Sequence, residues 1–334
     1  MGLGAALGAG CGNRAKAPAA ARAAATPTRK ASGGAKSRVV LVRHSKLTNE
    51  KLEPNAQACG KALEVGLLAL TGESSVRQAW RRFVKPEDTV ALKVNCLAGP
   101  PLATHPELAY AVVESMARAG LPEENAIIFD RDSGELEFCG YELRASGRGP
   151  RCFGSDAVGY EPEPTIVLST GTCYSLIVTD MATAIINLPI LKDHDLAGLS
   201  AALKNHFGSV HNPNKMHTNR CCPAVADVNC AEHIRGKQRL VVCDALLVCY
   251  YGGPGYKPET TVRYNALLLG TDPVAVDAVG TKIIEELRAK AGKPSLAEEE
   301  LWPNYLEIAA DDEHRLGQSD LNKIELLEVD AETV

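Results

Sequence analysis

Short apolar runs recur along the chain, each closed by a polar residue or a turn. Val39-Val40-Leu41-Val42, inside Arg38 to Arg43, predicts a first strand. Thr89 to Asn95, Ala126 to Asp130, Ala184 to Ile190, Arg239 to Asp244, Asn265 to Leu269 and Lys323 to Val329 predict others. Thr165 to Leu168 and Ser175 to Val178 read as a hairpin around Gly171-Thr172. The run 184–190 is apolar on both faces, as in a buried strand, and Pro189 stops it.

Helical spacing fills the gaps, over residues 57–70, 74–83, 105–119 and 302–310 and from Pro273 onward. Thr104 is the expected N-cap of the third helix, with Pro106 in its first turn and Gly120 at its end. Asp272 caps the helix that Pro273 opens, and Asp277 lies in its second turn. The alternation predicts an α/β fold: a mixed, mostly parallel sheet with helices on both faces and a loop-rich His/Cys segment. Residues 38–334 read as one domain, with an irregular, Gly-rich insertion at 133–162 that carries Arg144, Arg148 and Arg151.

Charge changes the picture at the amino end. Residues 1–38 hold seven Lys or Arg, 13 Ala and no acid, so the remainder carries a net charge of -12. Such a segment cannot build a core, and residues 1–37 are expected to form a disordered tail or the remnant of an export signal. The small residues leading into Cys11 resemble a lipoprotein cleavage site, which places the protein in the periplasm or envelope; a plain Ala/Gly tail on a cytoplasmic protein is the alternative. No apolar run reaches the roughly 20 residues that span a bilayer. Few aromatics and no basic patch argue against a nucleic-acid partner. None of the eleven Cys falls in a C-x-x-C pair, so zinc-ribbon and ferredoxin-type cluster motifs are absent.

Candidate chemistry gathers where strands end. Lys93 and Asn95, two apart, share a face at the carboxyl end of their strand, where open α/β sheets bind ligands. Asp130-Arg131-Asp132-Ser133 follows another strand and reads either as a cation or ribose site or as a salt-bridged turn. Lys192-Asp193-His194 follows the run ending near Pro189. Lys204-Asn205-His206-Phe207-Gly208 comes soon after, among small and apolar residues. A Lys held there has a depressed pKa and suits nucleophilic or anion-anchoring work. His206, His211, His217, Cys221, Cys222, Cys230 and His233 fall within 28 residues. Imidazole with thiolate suits a transition metal such as nickel, zinc or iron, with His206, His211, His217, Cys222 and Cys230 as candidate ligands. A disulfide between Cys222 and Cys230 is an equal reading.

Leu92-Lys93-Val94-Asn95, the run from Ile186 to Gly208, and Gly270-Thr271-Asp272-Pro273-Val274-Ala275-Val276-Asp277 together resemble the family called domain of unknown function 362. The family has no settled reaction; many members carry a fused ferredoxin domain, whose cysteine spacing is missing here. A more distant similarity links His194-x-x-Ala197-Gly198-x-Ser200-x-x-x-Lys204 to the active-site segment of nickel-pincer lactate racemases. That resemblance implies an acid/base role for His194 and a cofactor-tethering role for Lys204. The family's nickel-binding His is replaced by Arg220, and its paired Gly by Ala201-Ala202.

Two functions follow. One is an enzyme that binds a small anionic substrate or cofactor at Lys93, Asn95, Lys192 and Asn205, with His194 and Lys204 in acid/base or redox chemistry. The other is a non-catalytic exported protein, associated with a metal or iron–sulfur centre and working with a redox partner protein. The first requires Lys93, Asn95, His194 and Lys204 to share one pocket.

Overall fold

A computed structural model describes residues 36–333. The tail and export-signal readings fall almost wholly on residues outside these; Ser37, at the tail's edge, already belongs to the first strand. The strands are β1 (Ser37–Arg43), β2 (Val90–Lys93), β3 (Ala126–Phe129), β4 (Arg151–Cys152), β5 (Thr165–Val167), β6 (Thr170–Thr172), β7 (Ala184–Asn187), β8 (Ile190–His194), β9 (Gly198–Ser200), β10 (Gln238–Cys249), β11 (Thr261–Gly270) and β12 (Ile324–Asp330). The main sheet runs β12-β1-β11-β10-β7-β2-β3-β4, with β8 added to β10 and β9 to β8. Along that path β11 is the reversed strand, antiparallel to β1 and β10, and every other pair is parallel.

Both faces are covered, because the buried strands alternate two apolar sets. Val90, Leu92, Ile128 and Ile186 point into a core with the helices Ala56–Thr71, Val76–Arg81 and Pro106–Ala119. Ala91, Ile127, Phe129 and Ile185 face the opposite side, toward the segment 203–234. Val39, Leu41, Val241 and Leu268 pack beneath the helix Pro273–Lys290. Two-sided burial is what parallel strands require. Among the described residues no helix is long and apolar enough to cross a membrane.

Four local expectations need correction. The run 184–190 is two strands rather than one: β7 ends at Asn187, Leu188-Pro189 breaks the ladder, and β8 resumes on the far half of β10. Thr104 does not cap the helix that follows. Its hydroxyl donates to the Leu188 carbonyl at 2.7 Å and accepts the Asn95 amide, and His105 stands at the N-cap with its ring bonded to Asp244 rather than to the helix amides. The hairpin near Gly171 is tighter, formed by β5 and β6, while Ile177–Met181 is a π-helical turn. Residues 133–162, expected as an irregular insertion, include the helix Ser133–Phe138 and β4, which extends the main sheet. Asp272 does cap its helix, accepting the Ala275 amide at 3.0 Å.

Candidate functional site

The parallel register sets Lys93 beside Phe129 on β3 and beside Asn187 on β7. Three carboxyl ends therefore meet at one level, and polar residues begin there on each strand. Asp130, directly after β3, accepts the Lys93 ammonium at 2.7 Å. It also accepts the amides of Cys96 and Arg131. Lys93 further donates to the Val94 carbonyl and to Asn205 Oδ1, at 2.6 and 3.2 Å. Asn205 returns its amide to the Lys93 carbonyl and to Asn187 Oδ1, and Asn187 donates to the Ala202 carbonyl. A buried ion pair is tolerable only when its remaining hydrogen-bonding capacity is met, and this network meets it.

Gly208 lies against this pair. A Cβ there would come within 2.6 Å of Lys93 Nζ and 2.5 Å of Asp130 Oδ1. Gly208→Ala is expected to cost about 1–3 kcal/mol, seen as a lower denaturant midpoint, because a charged pair has no room to retreat. An unchanged midpoint would show that the pair shifts freely.

Asn95 links this network to a second group of cations. Its amide donates to Asn205 Oδ1 at 3.1 Å, and its Oδ1 accepts the Lys192 ammonium at 3.3 Å. Lys192 and His194 lie two apart on β8, so they share a face, while Asp193 turns the other way to pair with buried Arg288 at 2.9 Å. Lys204 is in the turn Ala202–Asn205, and its ammonium reaches His217 Nε2 at 3.3 Å and lies 4.7 Å over the Phe207 ring. The His217 ring stacks on His194 at 5.8 Å.

These groups are buried: 0 % of Lys93, 1 % of Lys192, 6 % of Lys204 and 4 % of His194 is exposed. Lys93 has Asp130 as its counter-charge. Among the described residues no Asp or Glu forms an ion pair with Lys192 or Lys204. Burial pushes the Lys192 ammonium down to about 8, with the positive charge of Lys204 adding to the effect. Burial alone accounts for most of the fall of Lys204 to about 8. Burial, then Lys204, pushes His194 down to about 2. Its Nδ1 accepts the amides of Leu196 and Ala197, at 3.1 and 3.3 Å. Backbone donors cannot rotate away, so the proton of neutral His194 is on Nε2. Exposed Asp195, 3.2 Å from the same Nδ1, therefore makes no charged pair with it. In His217 the Pro213 carbonyl takes the Nδ1 proton, which leaves Nε2 to accept from Lys204.

His217 belongs to the segment Pro213–Cys221, which thereby lies against Lys204 and His194. Asn212, Asn219, Arg220 and Cys221 in and beside it all have left-handed backbones. That conformation costs a non-glycine residue about 1 kcal/mol. An exposed Arg220–Glu300 pair at 3.2 Å ties the segment down.

Asn95 and Asn205 join Lys93 to Lys192 through direct hydrogen bonds, while Lys204 and His194 meet at the His217 ring. The metal ligand set does not assemble. Among the described residues no three His, Cys, Asp or Glu side chains are placed to hold an ion. Both ring nitrogens of His206 are engaged, by Gln238 at 2.7 Å and Ser209 at 3.2 Å, and burial lowers its pKa to about 4. His211 packs on Tyr160. Cys222, which follows the segment Pro213–Cys221, and Cys230, the last residue of the helix Ala224–Cys230, are free thiols bonded to the carbonyls of Arg220 and His314 respectively. Closeness along a loop did not translate into closeness in space.

Two residues carry more than their sequence neighbourhoods suggested. Asp130 is the counter-ion of Lys93 rather than part of a surface turn. Asp277 accepts the amides of Ala202 and Leu203, at 2.6 and 3.0 Å, and so anchors the turn that bears Lys204 and Asn205. Burial raises Asp277 to about 7. A carboxyl raised in the fold favours the folded state most at low pH, and this contribution is lost as the pH rises through about 4 to 7. Asp277→Asn sets an NH2 group against an amide donor. Thermal unfolding should then show a loss of about 1–3 kcal/mol and a flatter stability profile across that window.

No curated protein matches this chain. A crystal structure of a protein from Thermotoga maritima is similar at 12% identity and a TM-score of 0.41, over 71% of this chain and 59% of that one. The chain thus spans under two thirds of that protein's length. The model of the family described as Domain of unknown function (DUF362) matches residues 90–282, more than half of the chain and the whole stretch from β2 to Asp277. This protein belongs to that family.

Proposed function

We propose that the protein is an enzyme whose buried Lys192–Lys204 pair binds the carboxylate or phosphate of a small substrate or cofactor. The observation that supports this reading best is the charge imbalance. Two enclosed ammonium groups, each below its ordinary pKa, lack the counter-charge that neighbouring Lys93 has. An uncompensated buried charge is costly, and an anion entering between the two lysines offsets that cost. His194, neutral and with its proton on Nε2, acts as a hydrogen-bond donor to the anion or to an oxygen on which charge develops. Its Nδ1 is occupied and does not serve as a base. Lys204, lowered like Lys192 to about 8, can exchange a proton near neutral pH. Entry requires Pro213–Cys221 to lift, breaking the weak Arg220–Glu300 pair.

Calorimetric titration with inorganic phosphate and with a small 2-hydroxycarboxylate, over a range of pH, tests the reading. Binding should weaken as the pH rises through about 8, where both lysines lose their protons. No binding of either anion, or an affinity indifferent to pH, would sink it. An absorption spectrum of the purified protein, with elemental analysis, shows in the same samples whether an organic chromophore occupies the site.

A further inference from the structure

Leu196 and Trp302 are 42 % and 41 % exposed. A lone apolar side chain in solvent is ordinary, but these two belong to one place beside the lysine pair. Leu196 comes two residues after His194 and gives its amide to the Nδ1 of that ring. The β8–β9 hairpin pairs His194 with Gly198, which has a left-handed backbone. Gly198 lies against both neighbours of Trp302: a Cβ there would overlap the Leu301 carbonyl and stand 3.5 Å from the Pro303 ring. Tyr305 fixes the same stretch by donating to the Leu199 carbonyl at 3.3 Å. Trp302 is therefore held at the hairpin that carries His194. On its other side Glu300 pairs with Arg220 of Pro213–Cys221. The edge that opens when that segment lifts begins two residues before Trp302.

We infer that Leu196 and Trp302 receive an apolar tail, so that the ligand of the lysine pair is a carboxylate or phosphate joined to a hydrocarbon chain. The inference rests on the anion-site reading and adds the other half of the molecule to it. With its head at Lys192 and Lys204, such a ligand runs past His194 and leaves beside Glu300, across the two exposed side chains. Covering them removes apolar surface of both partners from water, which strengthens binding with each methylene that reaches them. A bare inorganic anion gains nothing from either residue.

Calorimetry on the full chain compares inorganic phosphate with butyl, hexyl and octyl phosphate, which share a head and differ in reach. Affinity should rise along the series, with octyl phosphate at least about tenfold tighter than phosphate. Trp302→Ala should remove most of that advantage. Phe138→Ala, which deletes a ring that is 72 % exposed elsewhere on the surface, should keep it. A second readout needs no variant. The chain has two Trp, and Trp80 is fully buried, so a change of solvent contact on binding is seen in the emission of Trp302. Octyl phosphate should shift that emission to shorter wavelength, and inorganic phosphate should not. Equal affinity along the series, an advantage that survives Trp302→Ala or is lost in Phe138→Ala, or an emission that responds alike to both ligands would overturn the inference while the anion site stands. Binding of none of the four would remove the anion site and this inference together.

Discussion

Lys204→Met should bind phosphate at least tenfold more weakly than the natural chain, yet unfold at a higher temperature. Methionine keeps the aliphatic stem against Phe207 and removes the ammonium. A lysine whose folded pKa is lowered from 10.5 to about 8 binds its proton less well in the fold than in the unfolded chain. The penalty is complete below about pH 8 and disappears as the pH rises toward the unfolded value. At neutral pH it is about 3 kcal/mol. The substitution releases that cost while deleting half of the proposed anion site. Weaker binding with greater stability marks a functional residue held at the expense of the fold. Calorimetry with phosphate and thermal unfolding at neutral pH measure the two effects. A variant that binds normally, or one that is less stable, contradicts this account of Lys204.

Lys93→Met should behave in the opposite way. Here the ammonium has a counter-ion, and its loss leaves the Asp130 carboxylate buried with two amide donors but no cation. Breaking one side of a buried pair costs about 3–5 kcal/mol. The Asn205 and Val94 carbonyl oxygens also lose a donor. Urea denaturation should show a sharply lower midpoint, partly restored by Asp130→Asn in the double variant, because the stranded charge is then gone. A midpoint within experimental error of the natural chain would mean that the network around Asp130 does not hold the sheet edge. The two lysines thus differ in setting: Lys93 is paired with Asp130 where the strand ends meet, and Lys204 belongs to the proposed anion site.

Part of this could be read from the residues alone. Apolar runs located β1, β2, β3 and β7, and the two-residue period on β2 put Lys93 and Asn95 on one face, where both meet Asn205. The Asp272-Pro273 signal named a real cap. The failures have a common cause. Pairing is a property of space, and a sequence window shows only what is nearby in the chain. Asp130 lies 37 residues from its lysine, and Asp277 lies 75 from the amide of Ala202. Crowding of His and Cys between 206 and 233 looked like ligand density, yet the short helices there turn those side chains toward separate partners. Pro189 signalled a stop but not a resumption. Because β10 is 12 residues long, it has room for β7 on its first half and β8 on its second. That second half is what brings Lys192 and His194 into the site.

The central claim is that Lys192 and Lys204 are enclosed cations that form an anion-binding site, and the titration of the lysines themselves tests it most directly. Protein with 13C at the lysine ε-carbon would be followed by NMR across pH, with Lys192→Met and Lys204→Met assigning the two signals. The account predicts two resonances that titrate near 8 in anion-free protein and move to higher pH when phosphate is added. Both lysines titrating at the ordinary lysine value, with or without phosphate, would contradict it.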